Sequence, residues 1–393
     1  MKRTYIWAPV AVLALVVTFT GGFLLGHSQA EDLLDFGKAD LSNFAKAKRL
    51  IQEKYVSDVS QEDLLTGATK GLVAGTGDPY SEYLTKEEAD QLDQQLAGTV
   101  EGIGVEIGLK NDLVMVIAPL PDSPAARGGI VAGDMVLAVN GESVVGKDID
   151  EVAQKIRGPK GSQVTVEVRG PGQSAARSLA LTRETVKSPS VTLTYRGDPG
   201  SSPGQASGSG PGQAVAIIRL SQFGETTKDE LNTAITDIQA KKPRGIVLDM
   251  RSNPGGYLEG AVDVTSVFLS DGAVVKEQFA HGKSETRSAT KDARLAAYPL
   301  VVLVDKGSAS AAEITAGALR DDRQTKLVGE KTYGKGSVQE LEDLGGGAVL
   351  KLTIAEWLTP NGTSISKQGL KPDVESPSTD PEAQVQAAIG QLK

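Results

Sequence analysis

Strand-like and helix-like segments alternate through the second half of this 393-residue chain, and this alternation constrains its fold more than any other feature. Apolar runs typical of buried strands are followed, after short polar or glycine-rich turns, by segments whose apolar residues have helical spacing. The predicted strand and helix pairs are 215–220 with 228–239, 245–250 with 257–269, and 300–304 with 310–320. Because such alternation places helices against a largely parallel sheet, we predict an α/β core over residues 186–376.

Four other regions flank or interrupt this core. Residues 98–185 combine short apolar strands, an Asn140-Gly141 turn and one amphipathic helix, which predicts a compact β-rich inserted domain. Residues 31–97 are polar with helical spacing, so we expect an N-terminal helical region, and residues 377–393 form a C-terminal tail. Residues 197–213 are dominated by Gly, Ser, Pro and Gln, a composition that predicts a flexible insertion within the core.

The N-terminus predicts where the chain resides. Within residues 1–30, Lys2 and Arg3 precede an uncharged run whose apolar part spans 6–25, close to the ~20 residues that cross a bilayer. Ser28-Gln29-Ala30 is similar to a small-x-small signal cleavage site. We therefore expect the rest of the chain on the extracytoplasmic side of the bacterial cell membrane. It would be held by a single N-terminal anchor or secreted after signal cleavage.

Composition excludes several chemistries. The chain has no cysteine and two histidines, His27 and His281, so a cysteine peptidase is excluded and a zinc hydrolase lacks its usual histidine pair. The net charge of −9 argues against a nucleic-acid partner, which needs clustered basic residues. We expect no metal and no cofactor. A hydrolase of this composition would pair serine with lysine or, as an alternative, with His281.

The segment Gly307-Ser308-Ala309-Ser310-Ala311-Ala312-Glu313 supplies candidate serines. Ser310 would lie at a strand-to-helix junction, where unpaired backbone N–H groups and the helix dipole favour negative charge. The N–H of Ala311 would then face an oxyanion. Ser310 with Glu313 also fits a helix capping box, which is commoner than a nucleophile. Ser308 is a competing serine, and spacing alone does not choose between the two.

Two glycine-rich segments could complete such a site. Lys335 stands between Gly334 and Gly336, which permit the close backbone approach that burial of a neutral lysine needs, although such a lysine is more often solvated. Gly255 and Gly256 end the turn Arg251-Ser-Asn-Pro-Gly-Gly and would present N–H groups to an oxyanion. An ordinary strand-to-helix turn is the alternative for this second segment.

The β-rich region contains a candidate peptide-binding loop. Gly102, Ile103, Gly104 and Val105 precede a predicted strand, and the backbone N–H groups of such a loop can hold a terminal carboxylate. An extended peptide would add to the edge of that strand, against the helix near 149–156. The sequence thus predicts recognition of a protein or peptide C-terminal tail.

Five motifs in this order resemble one known family. The motifs are Gly102–Val105, the turn ending at Gly255-Gly256, Gly307–Ile314, Lys331–Gln339, and Thr359–Gly362 followed by Gly369–Asp373. Together they resemble the carboxyl-terminal processing peptidases, or tail-specific proteases, which are serine–lysine endopeptidases with an inserted PDZ domain. The resemblance covers about residues 40–375.

The resemblance implies a role for each residue of the site. It implies that the second serine of the motif, Ser310, is the nucleophile, with Lys335 as general base and Gln339 holding the lysine. Ala311 and the glycine turn match the oxyanion donors. Arg169 matches an arginine through which the PDZ domain communicates with the protease. Ala312 stands where the family often has serine, and the insertion 197–213 is unusual.

These observations predict an extracytoplasmic serine endopeptidase that recognises C-terminal tails through its PDZ domain and cleaves within or near them. A non-catalytic PDZ adaptor with a relic protease domain is the alternative. A homo-oligomer, the identity of the substrate and cleavage of the N-terminal segment are left open by the sequence.

Overall fold

The structure, a computed structural model, describes residues 40–110, 113–197, 214–377 and 380–392. The predicted signal or anchor segment 1–30 lies outside the described residues, and so do residues 198–213 of the predicted insertion. Within the described ranges, no helix is both long enough and apolar enough to cross a membrane.

The described part of the chain divides into two compact units at residue 69, one ending at Thr69 and the other beginning at Lys70. The first elements are α1 (Ser42–Lys54), α2 (Gln61–Ala74), β1 (Glu82–Leu84) and α3 (Lys86–Leu96). They confirm the predicted helical character of the N-terminal region. Helix α3 begins with a capping box, in which Thr85 Oγ1 accepts the Glu88 N–H and Glu88 Oε2 accepts the Thr85 N–H at 2.8 Å.

The predicted β-rich domain follows. Its elements are β2 (Thr99–Gly102), β3 (Val105–Lys110), β4 (Leu113–Pro119), α4 (Pro124–Arg127), β5 (Met135–Val139), β6 (Glu142–Ser143), α5 (Ile149–Ile156), β7 (Gln163–Arg169), β8 (Arg177–Thr182) and β9 (Glu184–Lys187). An antiparallel sheet has the order β3-β4-β5-β7-β8, with β6 paired to β5. Helix α5 buries Val152 and Ile156 against the interior of this sheet. Strands β2 and β9 pair with each other, so the chain enters and leaves this domain at the same place.

The remaining elements form the α/β core, and all but the last helix, which lies in the predicted C-terminal tail, are within the predicted bounds 186–376. They are β10 (Val191–Arg196), β11 (Val215–Leu220), α6 (Thr227–Lys241), β12 (Gly245–Asp249), α7 (Leu258–Ser266), β13 (Ala273–Phe279), a 3-10 turn (Ala280–Gly282), β14 (Ser284–Ser288), β15 (Leu300–Val304), α8 (Ala311–Arg323), β16 (Lys326–Gly329), β17 (Ser337–Gly345), β18 (Ala348–Leu358), β19 (Val374–Glu375) and α9 (Pro381–Ile389).

A largely parallel sheet lies at the centre of this core. Its order is β10-β11-β12-β15-β16-β19, and β10 alone runs antiparallel to its neighbour. Apolar side chains on one face, including Leu248 and Val302, pack with α6, α7 and α8. Those on the other face, including Val247 and Val301, pack with α9. Strands covered on both faces have continuous apolar runs, which is why the sequence predicts β11, β12 and β15. Strands β10, β16 and β19 are absent from the sequence prediction.

A second sheet was absent from the sequence prediction. It has the order β1-β18-β13-β14, with β17 also paired to β18, and each of these pairs is antiparallel. The β17–β18 hairpin turns at Gly345-Gly346-Gly347, where all three glycines have positive φ. Much of β17 is exposed, so it lacks the continuous apolar run that marked the parallel strands.

Candidate active site

Three neighbouring parallel strands end at the same edge of the central sheet, and the segments after them carry the candidate residues. Gly255 and Gly256 follow β12, Ser310 follows β15, and Lys335 follows β16. The carboxyl edge of an open α/β sheet is where such folds bind ligands. The topology therefore explains how residues far apart in the chain come to share one cleft.

The structure distinguishes the two candidate serines. Ser308 is fully buried; its hydroxyl donates to Met250 O at 2.8 Å and accepts from the Asp305 N–H at 3.0 Å. Ser310 is half-buried and faces the cleft, with φ 53° and ψ −118°, a region that residues with a side chain rarely adopt. Ser308 thus holds the loop, while Ser310 is presented to the cleft in a strained backbone conformation.

Glu313 joins the serine segment to the lysine segment. Its side chain is fully buried in the first turn of α8, and Oε2 accepts the N–H of Ser310 at 3.0 Å and that of Lys335 at 2.9 Å. Oε1 accepts the N–H of Gly334 at 2.8 Å and the hydroxyl of Thr332. Burial raises the pKa of Glu313, and these four hydrogen bonds oppose that rise.

Sequence reasoning treated Glu313 only as a helix cap. The carboxylate does cap Ser310, so the capping interpretation and the active-site interpretation describe the same residue pair. Its contact with Lys335 spans a long sequence separation and could not be read from local spacing. The available signal was the glutamate itself, an acidic residue in a segment otherwise made of small residues.

Lys335 lies in a tightly packed turn. A Cβ at Gly336 would lie 2.8 Å from Ser366 Cα, and one at Gly334 would lie 2.7 Å from Gly369 N, so neither glycine has room for a side chain. The Lys335 carbonyl accepts the indole N–H of Trp357 at 2.9 Å.

The Lys335 side chain is half-buried in the cleft. Burial lowers its pKa below the usual value, and the positive charge of Lys351 lowers it further. Its Nζ lies 5.4 Å from the centre of the Tyr80 ring. Nothing in the local sequence around Tyr80 predicts this contact.

Gln339 lies on β17 and lines the same cleft. Its Nε2 donates to Ser337 Oγ at 2.8 Å and to Thr353 Oγ1 at 3.0 Å. Among the side chains that the structure describes, Gln339 is not hydrogen-bonded to Lys335, and Lys335 Nζ is not hydrogen-bonded to Ser310 Oγ. The structure brings the three residues to one cleft without forming the contacts that the resemblance implies between them.

The glycine turn lies against the serine. A Cβ at Gly255 would stand 2.8 Å from Ser310 Cβ, and its N–H donates to Asn253 Oδ1 at 2.8 Å. In the described parts of the chain, the N–H groups of Gly256 and Ala311 have no protein acceptor. Both residues line the same cleft as Ser310, and an oxyanion requires donors of this kind. Of the two oxyanion donors predicted in this turn, only the Gly256 N–H is available, because the Gly255 N–H already donates to Asn253 within the turn.

These residues line a cleft of about 770 Å³. Its apolar wall includes Leu92, Leu96 and Ile354, and its size suits an extended peptide segment. His281 is exposed in the 3-10 turn and does not belong to the cleft lining. The described residues hold no group of three or more His, Cys, Asp or Glu side chains placed for a metal ion.

The Gly102–Val105 loop forms part of a second cavity, of about 310 Å³. The carbonyls of this loop are used: Ile103 O accepts the Ala125 N–H at 2.8 Å, and Gly104 O accepts from Leu120 N and Ser123 Oγ at 2.9 Å each. Within the described ranges, the N–H groups of Ile103 and Gly104 have no protein acceptor. This polarity suits an anionic carboxylate.

Arg169 ends strand β7. Its guanidinium donates to Met135 Sδ at 3.3 Å, a contact within the β-rich domain. The communication with the protease that the resemblance implies for Arg169 stays a prediction.

Comparison with known proteins agrees with this architecture. Residues 214–376 match the model of peptidase family S41, residues 115–170 match a PDZ domain, and residues 26–88 match the N-terminal domain of the activating protease CtpB. The fold and its cleft thus define a serine-type peptidase with an inserted PDZ domain.

Individual relatives are similar over most of the chain. The carboxy-terminal processing protease CtpB of Bacillus subtilis is 34% identical over 334 residues, which cover 85% of this chain and 67% of that protein. CtpA of the same organism is 33% identical over 383 residues, covering 97% and 78%. The solved photosystem II D1 C-terminal processing protease is 32% identical, with a TM-score of 0.53 over 88% of this chain and 90% of that one. The chain belongs to the carboxy-terminal processing proteases of family S41.

Proposed function

We propose that this protein is an extracytoplasmic serine endopeptidase in which Ser310 is the nucleophile and Lys335 the general base, and in which the PDZ domain binds the C-terminal tail of a protein substrate. The catalytic part of this proposal is supported by the hydrogen bonds that the Glu313 carboxylate accepts from Ser310 and Lys335, here the Glu313 clamp. One buried carboxylate ties the backbones of Ser310 and Lys335 to the same point. Gly256 and Ala311, whose N–H groups have no acceptor in the described parts of the chain, line the same cleft.

The reaction follows from this arrangement. The Ser310 hydroxyl oxygen attacks the carbonyl carbon of the scissile peptide bond, and its proton passes to the neutral amine of Lys335. The oxyanion accepts hydrogen bonds from the N–H groups of Ala311 and Gly256. The carbon–nitrogen bond then breaks as Lys335 returns the proton to the leaving amine. Water then gives a proton to Lys335 and attacks the acyl carbon, and the bond between that carbon and Ser310 Oγ breaks as Lys335 returns the proton to Oγ.

Burial of Lys335 supports its role as the base. Lysine accepts a proton only when it is neutral, and the lowered pKa increases the neutral fraction near physiological pH. Lys335 and Ser310 line one cleft, which places the proposed base on the same side of a bound peptide as the proposed nucleophile. Gln339, on the adjoining strand, would hold the amine in that position.

A fluorophosphonate label tests the nucleophile directly, because it reacts with activated serines irrespective of the natural substrate. The wild-type protein should be labelled at Ser310, as located by mass spectrometry of its peptides. Ser310→Ala and Lys335→Met should abolish labelling, while His281→Ala should leave it unchanged. A folded wild-type protein that takes no label would instead favour a PDZ adaptor without catalytic activity.

The extracytoplasmic location is carried by the composition of residues 1–30 alone. Alkaline phosphatase fused after residue 40 would be active if this segment directs export and inactive if it does not. Washing the membranes with alkaline carbonate would then separate an anchor, which is retained, from a cleaved signal peptide, which is not.

A further inference from the structure

The cavity at the Gly102–Val105 loop is walled by two domains. The PDZ domain contributes that loop and residues of α5 and its C-terminal end, including Ile156 and Arg157. The peptidase core contributes residues 188–190 before β10, together with Arg219 and Ser221 near the end of β11. A tail bound along β3 would therefore contact side chains of the peptidase sheet as well as those of the PDZ domain. We name this cavity the tail groove.

Arg219 places a positive charge in the wall of the tail groove. Its side chain is 38% exposed, and Nη1 lies 3.3 Å from Asp249 Oδ2. That aspartate is only 3% exposed and is already bound by Arg251, whose Nε donates to Oδ1 at 2.9 Å and whose Nη2 donates to Oδ2 at 2.6 Å. Because Arg251 satisfies the carboxylate with better geometry, Arg219 keeps donors available for another anion.

A second arginine adds to this charge. Arg157 is exposed at the end of α5 and lines the same groove. Glu106 is the acidic residue in the lining, so the two guanidinium groups leave the groove positive overall. The N–H groups of the Gly102–Val105 loop would already bind the terminal carboxylate of a tail. The arginines, which lie on other walls, are therefore available to an acidic group elsewhere on the tail.

We propose that Arg219, acting from the peptidase core and assisted by Arg157, makes the tail groove select C-terminal tails that carry an acidic side chain close to the terminal residue. This inference rests on the proposed recognition of tails by the PDZ domain. It assigns part of the specificity to a residue outside that domain, so a bound tail is read jointly by both domains.

Peptide binding tests the proposal in the full chain carrying Ser310→Ala, which would bind a tail without cutting it. The probes are fluorescent ten-residue peptides with a free C-terminus, identical except for Glu or Gln at one of the three positions before the last residue. At one position the Glu peptide should bind about fivefold more tightly than its Gln counterpart, as a partly exposed ion pair contributes. This ratio should fall as salt concentration rises.

Three arginine variants make the test specific. Arg219→Gln should bring the Glu-to-Gln ratio close to one, and Arg219→Lys should retain most of the preference because the charge remains. Arg196→Gln is the matched control: Arg196 lies on the adjacent strand β10, is 37% exposed and pairs with Glu382 at 3.4 Å, yet lies outside the groove lining. It should leave the ratio unchanged.

The possible outcomes distinguish the role of Arg219 from the recognition of tails itself. Tight binding of free-acid peptides with no preference for Glu, or a preference that survives Arg219→Gln in a protein that unfolds at the wild-type temperature, would overturn the role of Arg219 while leaving tail recognition intact. Failure to bind any free-acid peptide would overturn both.

Discussion

The carboxylate of Glu313, buried at the start of helix α8, accepts the backbone N–H of Lys335, 22 residues further along the chain, at 2.9 Å. Because the same oxygen accepts the N–H of Ser310, the two proposed catalytic residues share one anchor. The anchor acts on backbone groups, so it sets where both side chains originate without using their functional atoms.

This arrangement predicts that Glu313→Gln lowers kcat by at least about tenfold while the protein still folds. Four donors converge on the carboxylate, and a glutamine would turn an N–H₂ donor towards some of them, leaving buried groups unpaired at about 1–3 kcal/mol each. Steady-state cleavage and circular dichroism measure the two effects. Glu342→Gln, exposed on β17, is the control and should behave as wild type. Equal activity of both variants would show that the clamp does not position the site.

The two serines should respond differently to alanine. Ser310→Ala should abolish cleavage, because it removes the proposed nucleophile. Ser308→Ala should retain substantial activity and lower the free energy of unfolding by about 1 kcal/mol, since its hydroxyl bonds Met250 O and Asp305 N. Cleavage assays and thermal unfolding distinguish these results. A fully active Ser310→Ala protein would end the assignment of this serine as nucleophile.

Lys335 should make activity rise with pH as a single group loses its proton, since only the neutral amine accepts one. Lys335→Ala and Lys335→Arg should both be inactive, the latter because guanidinium stays charged. Initial rates measured across pH test the profile. Lys331→Met, at an exposed position nearby, is the control and should leave the profile unchanged.

The charge on Lys335 should also lower the stability of the folded protein at neutral pH. Its folded pKa is lowered relative to the ordinary value of 10.5, so the unfolded chain binds the proton more strongly, and the charged lysine destabilises the fold at neutral pH. That penalty shrinks as pH rises from the folded pKa towards 10.5. Lys335→Met should therefore be no less stable than wild type at neutral pH. Thermal unfolding across pH measures this, and a clearly less stable variant, together with activity that does not rise with pH, would make Lys335 a charged structural partner.

A free C-terminus should matter for binding to the tail groove. Amidation removes the negative charge that the N–H groups of Ile103 and Gly104 would stabilise, so an amidated peptide should bind about tenfold more weakly or worse. Parallel titrations of both forms against the Ser310→Ala protein measure the difference. Equal affinities would argue against recognition of the terminal carboxylate.

Gly256 should tolerate no side chain. Its φ is 139°, and an added Cβ would stand 2.1 Å from Phe223 O, so Gly256→Ala should both destabilise the protein and displace the proposed oxyanion donor. Gly362 also has positive φ, at 81°, but an added Cβ there would have nothing within 4 Å, so Gly362→Ala should cost only about 1 kcal/mol. Comparison of the two unfolding temperatures, with cleavage rates, checks the difference.

Local pattern was enough to predict much of the fold. Strands β11, β12 and β15, which pack apolar side chains on both faces, appear as continuous apolar runs, and their helices follow with the expected spacing. Helix α3 lies in the predicted helical region, and its capping box joins Thr85 to Glu88, two residues only three apart in the chain. The antiparallel sheet containing β17 and β18 was missed, because one side of it is largely exposed and its pattern is correspondingly weak.

The candidate site was likewise predictable from the sequence only in part. The order of motifs along the chain was sufficient to identify the family and to nominate Ser310 and Lys335. Choosing between Ser308 and Ser310 on physical grounds required knowing that the former is buried and bonded to Met250, which lies on another loop. Likewise the Gly255 N–H could be seen to be occupied only once the turn was folded.

The sequence by itself thus determined three strands of the central sheet, the helices that follow them and the order of the motifs, because hydrophobic periodicity and turn chemistry act between near neighbours. Only the tertiary structure decided which polar groups are paired across the site. The Glu313 clamp, the contact of Lys335 with Tyr80 and the entry of Arg219 into the tail groove all join distant segments. Such contacts depend on the packing of whole layers, and a hydrogen bond or charge contact needs that packing to be correct to within a few tenths of an ångström.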